Sequence, residues 1–342
     1  MLFRSMYLPN RVRALVNLLE RDWEGTFLPM IAALFPGQGS QKPGMGQDLF
    51  DNFTEAKSTF DRISKAISID VAKLCFETDE DTLRETENAQ LALYTCGVAA
   101  WSVFRGNYSA SDITAAAGHS VGEYAALAAA EVLNIEDGAR LVQLRGHLMG
   151  VSGRQNAGTM SAIIGMDRDV LEQVCAETEG IVVLANDNSV GQLVISGEVA
   201  AVSRAGELAK ERGAKRVIPL NVSGAFHSPL VKEAALELGK ALRNVQYGIP
   251  KLKVYANVTS EPVDETSQWA ELLEVQLSSP VRWTESVQHI RRDGVTTFVE
   301  CGVGEVLSGL VRRIDKEAIS SQVKDKDSLE ATMARLTGKT GA

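Results

Sequence analysis

Cysteine is scarce in this chain: Cys75, Cys96, Cys175 and Cys301 are the four in 342 residues, and no two stand in a C-x-x-C spacing. That excludes a disulfide framework and a zinc knuckle, and it fits a reducing cytoplasm. Long hydrophobic runs are missing as well. None approaches the roughly 18 residues that a membrane span needs, so a soluble protein without a membrane partner is expected. Basic charge is short, with 35 Lys and Arg against 44 Asp and Glu, a net −9. Such a chain repels a phosphate backbone overall, and nucleic acid is not an expected partner. Histidine numbers only four, which shortens any search for a general base.

What is present is ordinary for a globular protein, 45% hydrophobic and 23% charged. The first 29 residues stand apart. Arg4, Arg11 and Arg13 precede any acidic residue, as in a targeting peptide, but Glu20, Asp22 and Glu24 follow closely and no secretory-type apolar core is present. An added amphipathic helix, or a start codon upstream of the usual one, is the alternative, because the strand-like "MIAALF" begins at Met30.

From Met30 onward short apolar runs alternate with longer helical periods, which predicts an α/β fold with a largely parallel sheet. Strands are expected at 30–35, 113–118, 216–221, 253–258 and 296–300. Helices are expected at 48–66, 89–106, 121–131, 136–150, 229–243, 267–278, 283–292 and 305–314. Between 156 and 218 the order becomes β-α-β-β-α-β, through "MSAIIG", "IVVLAN", "QLVISG" and "KRVIPL", the split β-α-β pattern of a ferredoxin-like unit. The expected architecture is a larger α/β-hydrolase-like domain, 30–155 and 219–315, with an inserted ferredoxin-like subdomain at 156–218. The cleft between them is a natural ligand site. Residues 316–342 read as a polar, peripheral tail.

The stretch "AGHSVGEY", residues 117–124, joins an apolar strand to an alanine-rich helix. G-x-S-x-G alone is a weak signal, but strand, Gly-flanked turn and helix together describe a nucleophile elbow, which exposes the serine hydroxyl at a helix N-terminus. The amide of Val121 would then face a developing oxyanion. Alternatively Ser120 caps the helix, with Glu123 three residues on as in a capping box. Capping leaves the two glycines unexplained. Among the histidines, His119 adjoins the serine, and His147 and His289 sit in amphipathic helical patterns. His227, in "SGAFHSPL" at a strand-to-helix loop, is the best base candidate. No acid declares itself as a third member, so a dyad oriented by a carbonyl is expected.

In "EDGARLVQLRGHLMG", Arg145 shares a helix face with Leu141, Leu144 and Leu148. A permanent charge on an inward face needs an anion or a route to water. Either a structural ion pair, for instance with Glu123, or a substrate carboxylate would serve. "LFPGQGSQKPGMG", residues 34–46, follows the first strand; it lacks the third glycine of a dinucleotide fingerprint and is no Walker A loop. Gln38 in that loop is a candidate to lend a backbone N–H to an oxyanion hole, if the loop is more than a turn.

In chain order, "FPGQGSQKPGMG", "GHSVGEY", "QLRG", "NDNSVGQLVISG", "GAFHSPL", "QLSSPVRW" and "ECGVGEVLSGL" resemble the motifs of the malonyl-CoA:acyl carrier protein transacylases and the related acyltransferase domains of polyketide synthases. The resemblance spans Ile31 to Leu336. It implies Ser120 as nucleophile, His227 as general base and acid, Arg145 as the clamp on the malonyl carboxylate, and the Gln38 and Val121 amides as the oxyanion hole. Gln276 matches the position whose main-chain carbonyl orients the histidine, and Asn188 an asparagine near the cleft. Val190 stands where the family often has proline, which touches only local loop shape. Phe226, in "GAFH", is similar to the motif associated with malonyl rather than methylmalonyl units. The resemblance implies malonyl-CoA as substrate, acyl carrier protein as partner, no cofactor or metal, and a monomer serving fatty acid synthesis or, alternatively, a polyketide pathway. Arg212, Lys215 and Arg216 are candidates for carrier docking, or simply solvated charges at a helix end. A serine hydrolase and a non-catalytic docking subunit are the rival functions.

Overall fold

In a computed structural model, residues 30–108 and 112–338 are described; the N-terminal extension read above lies outside the described residues. Among the described residues nine strands form two sheets. β1 (Met30–Phe35), β2 (Ile113–Gly118), β7 (Lys253–Tyr255), β8 (Val295–Cys301) and β9 (Ile319–Val323) pair entirely in parallel, in the order β7-β2-β1-β8-β9. Helices cover both faces of a parallel sheet, which is why β1 reads as an unbroken apolar run and β2 is interrupted only by Thr114, without alternation. The helix Thr86–Asn107 is buried along most of its length and packs against the helix Ile135–Gln155. The order in which successive strands are added reverses at β1, with β2 and β7 laid down on one side of it and β8 and β9 on the other. The crevice beyond the carboxyl ends of strands at such a switch point is where open α/β sheets bind ligands.

The second sheet holds β3 (Gly158–Ile164), β4 (Val182–Ser189), β5 (Gln192–Glu198) and β6 (Arg216–Pro219) in the order β4-β5-β3-β6, every pair antiparallel. With the helices Arg168–Glu177 and Val199–Glu211 this is the ferredoxin-like topology expected from the sequence. Its own apolar cluster includes Ile163, Leu171 and Ile195. The β4 edge is stitched to the larger part: Asp187 N–H donates to the Val281 carbonyl at 3.0 Å, and Val281 N–H to that of Ala185 at 2.9 Å. Arg168 adds ion pairs to Asp187 and Glu285.

Several boundaries differ from expectation. The helix expected at 48–66 breaks at Phe53, an extended residue between Gln47–Asn52 and Thr54–Ile67. The strand expected at 253–258 stops at Tyr255, because the chain turns back there, Ser260 N–H reaching the Ala256 carbonyl at 2.7 Å. The tail is the larger correction. The described part of the expected tail, residues 316–338, is not merely peripheral: β9 completes the parallel sheet beside β8, and Val323 and Leu329 are buried in the main core. An edge strand can be largely polar, as "ISSQV" is with Ser320, Ser321 and Gln322 in a row, and so lacks the apolar run that marked the central strands.

Candidate active site

Two chain segments meet at the carboxyl ends of β1 and β2. Pairing of Phe35 with Gly118 brings the glycine-rich loop against the serine turn, and His119 N–H donates to the Phe35 carbonyl at 3.0 Å. Ser120 adopts φ 53°, a left-handed conformation that costs a non-glycine residue energy and persists only where its surroundings dictate it. Both flanking glycines are required by close approach. A Cβ on Gly122 would lie 2.1 Å from the Phe35 carbonyl oxygen, and one on Gly118 would lie 2.0 Å from the Gly122 carbonyl carbon. This is the sharp elbow expected from the sequence. The capping alternative fails, because Ser120 makes no side-chain cap and Glu123 turns inward instead of closing a capping box.

His227 reaches the serine from the loop after β6. Its Nε2 lies 2.9 Å from Ser120 Oγ, and its Nδ1 lies 2.9 Å from the Gln276 main-chain oxygen. A carbonyl can only accept, so Nδ1 carries the proton and Nε2 is free to accept the serine's. Burial, and then the Arg145 charge, push the imidazole down to a pKa of about 3, so it rests in the neutral, basic form. The other histidines lie elsewhere. His119 is held by Asn188 Oδ1 at 2.8 Å and burial lowers its pKa; His147 is exposed beside Glu87, and His289 bonds the Ser260 carbonyl.

Arg145 is 1% exposed. Among the described residues its hydrogen-bond partners are Gln90 Oε1 at 2.5 Å, Gln276 Oε1 at 3.0 Å and Ser120 Oγ at 3.1 Å, all uncharged, and its buried Nε has none. The ion pair with Glu123 weighed from sequence does not form. Glu123 accepts instead from Asn257 N–H at 3.3 Å and from the Gln276 amide, and burial raises its pKa to about 8, so it is largely protonated at neutral pH. A buried guanidinium with neutral partners and a spare donor is prepared for an anion brought from outside.

A cleft of about 400 Å³ opens over the serine between the two sheets, with Gln38, Ser120 and His227 on one side and Met160, Asn188 and Val194 on the other. Phe226, 4% exposed, lines it as well. Among the described residues neither the Gln38 nor the Val121 amide donates to a protein acceptor. Val190 is 73% exposed at the β4–β5 turn, so valine in place of proline there alters only the surface. Of the three basic residues beside the small sheet, Arg212 pairs with Glu177, while Lys215 and Arg216 are exposed.

Two participants escaped the sequence. Asn257 bonds the elbow backbone from a turn 137 residues away, and Gln90 holds Arg145 from the central helix. Each is a lone amide residue with no local motif, and only the fold shows what it faces.

Comparison with known proteins places these features. Residues 33–334 match the family model described as acyl transferase domain. The chain is 42% identical over 309 residues to the malonyl CoA-acyl carrier protein transacylase of Bacillus subtilis (strain 168), covering 90% of this chain and 97% of that one. It is similar in structure to the malonyl CoA-acyl carrier protein transacylase of Coxiella burnetii, with TM-score 0.88, 34% identity and coverage of 92% and 100%. A third likeness, TM-score 0.86 at 38% identity over 90% of this chain and 99% of the other, is to a malonyl-transacylase in complex with a type II PKS acyl-carrier protein.

Proposed function

Because the chain belongs to the acyl transferase domain family, we propose that it moves a malonyl group from malonyl-CoA to the phosphopantetheine thiol of an acyl carrier protein, through an ester on Ser120. The observation that carries this is Arg145: a fully buried cation, without an acidic partner among the described residues, 3.1 Å from the nucleophile. An acyl group that ends in a carboxylate supplies what that cation lacks.

In the first half-reaction His227 Nε2 takes the Ser120 proton while Oγ bonds to the thioester carbonyl carbon. The Gln38 and Val121 amides receive the oxyanion. As the tetrahedral centre collapses, the carbon–sulfur bond breaks and the imidazolium protonates the departing CoA sulfur. The Gln276 carbonyl holds the ring in the tautomer this requires. In the second half His227 takes the carrier thiol's proton, the sulfur attacks the serine ester, and Oγ leaves with that proton. Nucleophile, base and oxyanion donors all come from the chain, so the cycle calls on no cofactor or metal, and its two halves give ping-pong kinetics.

Electrostatics sharpen the preference for a carboxylate. The Arg145 charge is one cause of the low basicity of His227. A malonyl carboxylate seated on Arg145 cancels that field and makes the imidazole a stronger base; an acetyl group does not. Phe226 lines the cleft, and if its bulk crowds an α-methyl, a methyl's worth of crowding, about 1 to 3 kcal/mol, gives preference for malonyl over methylmalonyl. Four buried, free cysteines suit a reducing cytoplasm, and the pathway served is fatty acid synthesis.

Intact-protein mass after brief exposure to malonyl-CoA tests this. Wild type is expected to gain one malonyl group and Ser120→Ala none. CoA release without a mass gain would instead mark a hydrolase, and neither gain nor release a docking subunit.

A further inference from the structure

We propose that Asn257 is a positioning residue for the acyl-transfer reaction, holding the Ser120 elbow in its strained conformation through both arms of its side-chain amide. The inference rests on the acyl-transfer function proposed above.

Asn257 follows β7 in the turn that ends at Ser260, and it is 1% exposed. Its Oδ1 accepts the Ser120 backbone N–H at 2.7 Å, and its Nδ2 donates to the Gly118 carbonyl at 2.7 Å. The amide orientation is therefore determined, since a flipped amide would set donor against donor and acceptor against acceptor. The residue's own backbone is engaged as well: its N–H donates to Glu123 at 3.3 Å, and its carbonyl accepts from Arg282 N–H at 3.0 Å. One residue thus grips the last residue of β2, the nucleophile and the first turn of the following helix.

Two consequences follow for the chemistry. The Ser120 N–H is turned away from the cleft and occupied, which leaves the Val121 amide to face the oxyanion. Ser120 is also kept at φ 53°, a conformation that the elbow would otherwise relax. Removing the side chain strands two buried polar groups and frees Oγ to drift from His227 Nε2. Arg145 keeps its hydrogen bonds to Gln90 and Gln276, and the hydrogen bonds of Asn257 run to Ser120, Gly118, Glu123 and Arg282 instead, so the carboxylate site stays in place.

The test is the rate of malonyl-serine formation by rapid-quench mass measurement, across malonyl-CoA concentrations, in wild type and Asn257→Ala. A misplacement on the order of 1 Å costs about 10²-fold. The expected result is a loss of that size in the limiting acylation rate, with the half-saturating malonyl-CoA concentration unchanged. If Asn257→Ala does not fold, Asn257→Ser carries the same test, because it leaves room for water at the freed groups. An equally fast folded variant, or a loss confined to half-saturation, overturns the positioning role alone. A wild type that takes up no malonyl mass overturns the acyl-transfer function and this role with it.

Discussion

At the scale of single residues the site is organised by what it leaves unpaired. Arg145 is buried among amides and a hydroxyl, and burial raises the pKa of the nearby Glu123 carboxyl to about 8 against the opposing pull of its Gln276 and Asn257 N–H donors and of the Arg145 charge. Had Glu123 ionised against Arg145, the cation would be spent internally and the cleft would have no preference for an acid. One charge-assisted pair contributes about 1.5–3 kcal/mol, so replacing Arg145 should cost malonyl-CoA roughly 10- to 100-fold in kcat/KM relative to acetyl-CoA. Measured for Arg145→Ala with both thioesters, the ratio should collapse; an undiminished malonyl preference would refute the role. These residues differ in how plainly the sequence announces them. Ser120, His227 and Arg145 sit in recognisable local contexts. Asn257 and Gln90 do not, because a buried amide is meaningful only through the groups it faces.

At the scale of elements the strand–turn–helix from β2 to Gly122–Ala129 shows how a local motif depends on a distant strand. Two glycines in the turn are readable as a tight bend, but the reason Gly122 admits no side chain is the Phe35 carbonyl at the end of β1, 2.1 Å from where a Cβ would stand. Gly122→Ala must therefore push β1 and its glycine-rich loop away from the nucleophile. Overpacking of this kind costs about 1–3 kcal/mol, and because the Gln38 amide moves with the loop, acylation should fall more steeply than stability. Denaturant midpoints and acylation rates on the same preparation separate the two. Helices were legible because burial of one face gives them a period, and the central strands because burial of both faces makes them short apolar runs. The edge strand β9 was not, since an edge needs no apolar run and its partner β8 is recognised only after folding.

For the whole molecule, buried titratable groups shape stability against pH in opposite directions. His227 falls to about 3 in the folded state from an ordinary value of 6.5, so the unfolded chain binds its proton first and stability is lost as pH drops through that window. His119, also lowered by burial, adds to the same acid-side loss. Glu123 rises from 4.5 to about 8, so the folded chain keeps a proton the unfolded chain releases, and stability declines as pH climbs between those values. The His227 and Glu123 slopes offset each other between 4.5 and 6.5. Above that the Glu123 slope continues, joined near the top of the range by the buried thiols of Cys96, Cys175 and Cys301, whose pKa values are also raised. Urea midpoints of wild type should accordingly fall from pH 6.5 to pH 8.5, and Glu123→Gln, which keeps the shape without the proton, should flatten the decline. A decline of equal steepness in the variant would assign it to other groups.

By itself the sequence determined the alternation of strands and helices, the ferredoxin-like insertion, the elbow serine and the candidate base and cation. Those properties are written in periodicity, in glycine placement and in the poverty of histidine, all of which act over a few residues. Only tertiary structure decided that Arg145 meets no acid among the described residues, that the Gln276 carbonyl fixes the His227 tautomer, that Asn257 braces the elbow and that Ile319–Val323 completes the sheet. Each of those depends on groups brought together from distant parts of the chain, whose burial sets charge and hydrogen bonding in a way that no neighbouring residue encodes.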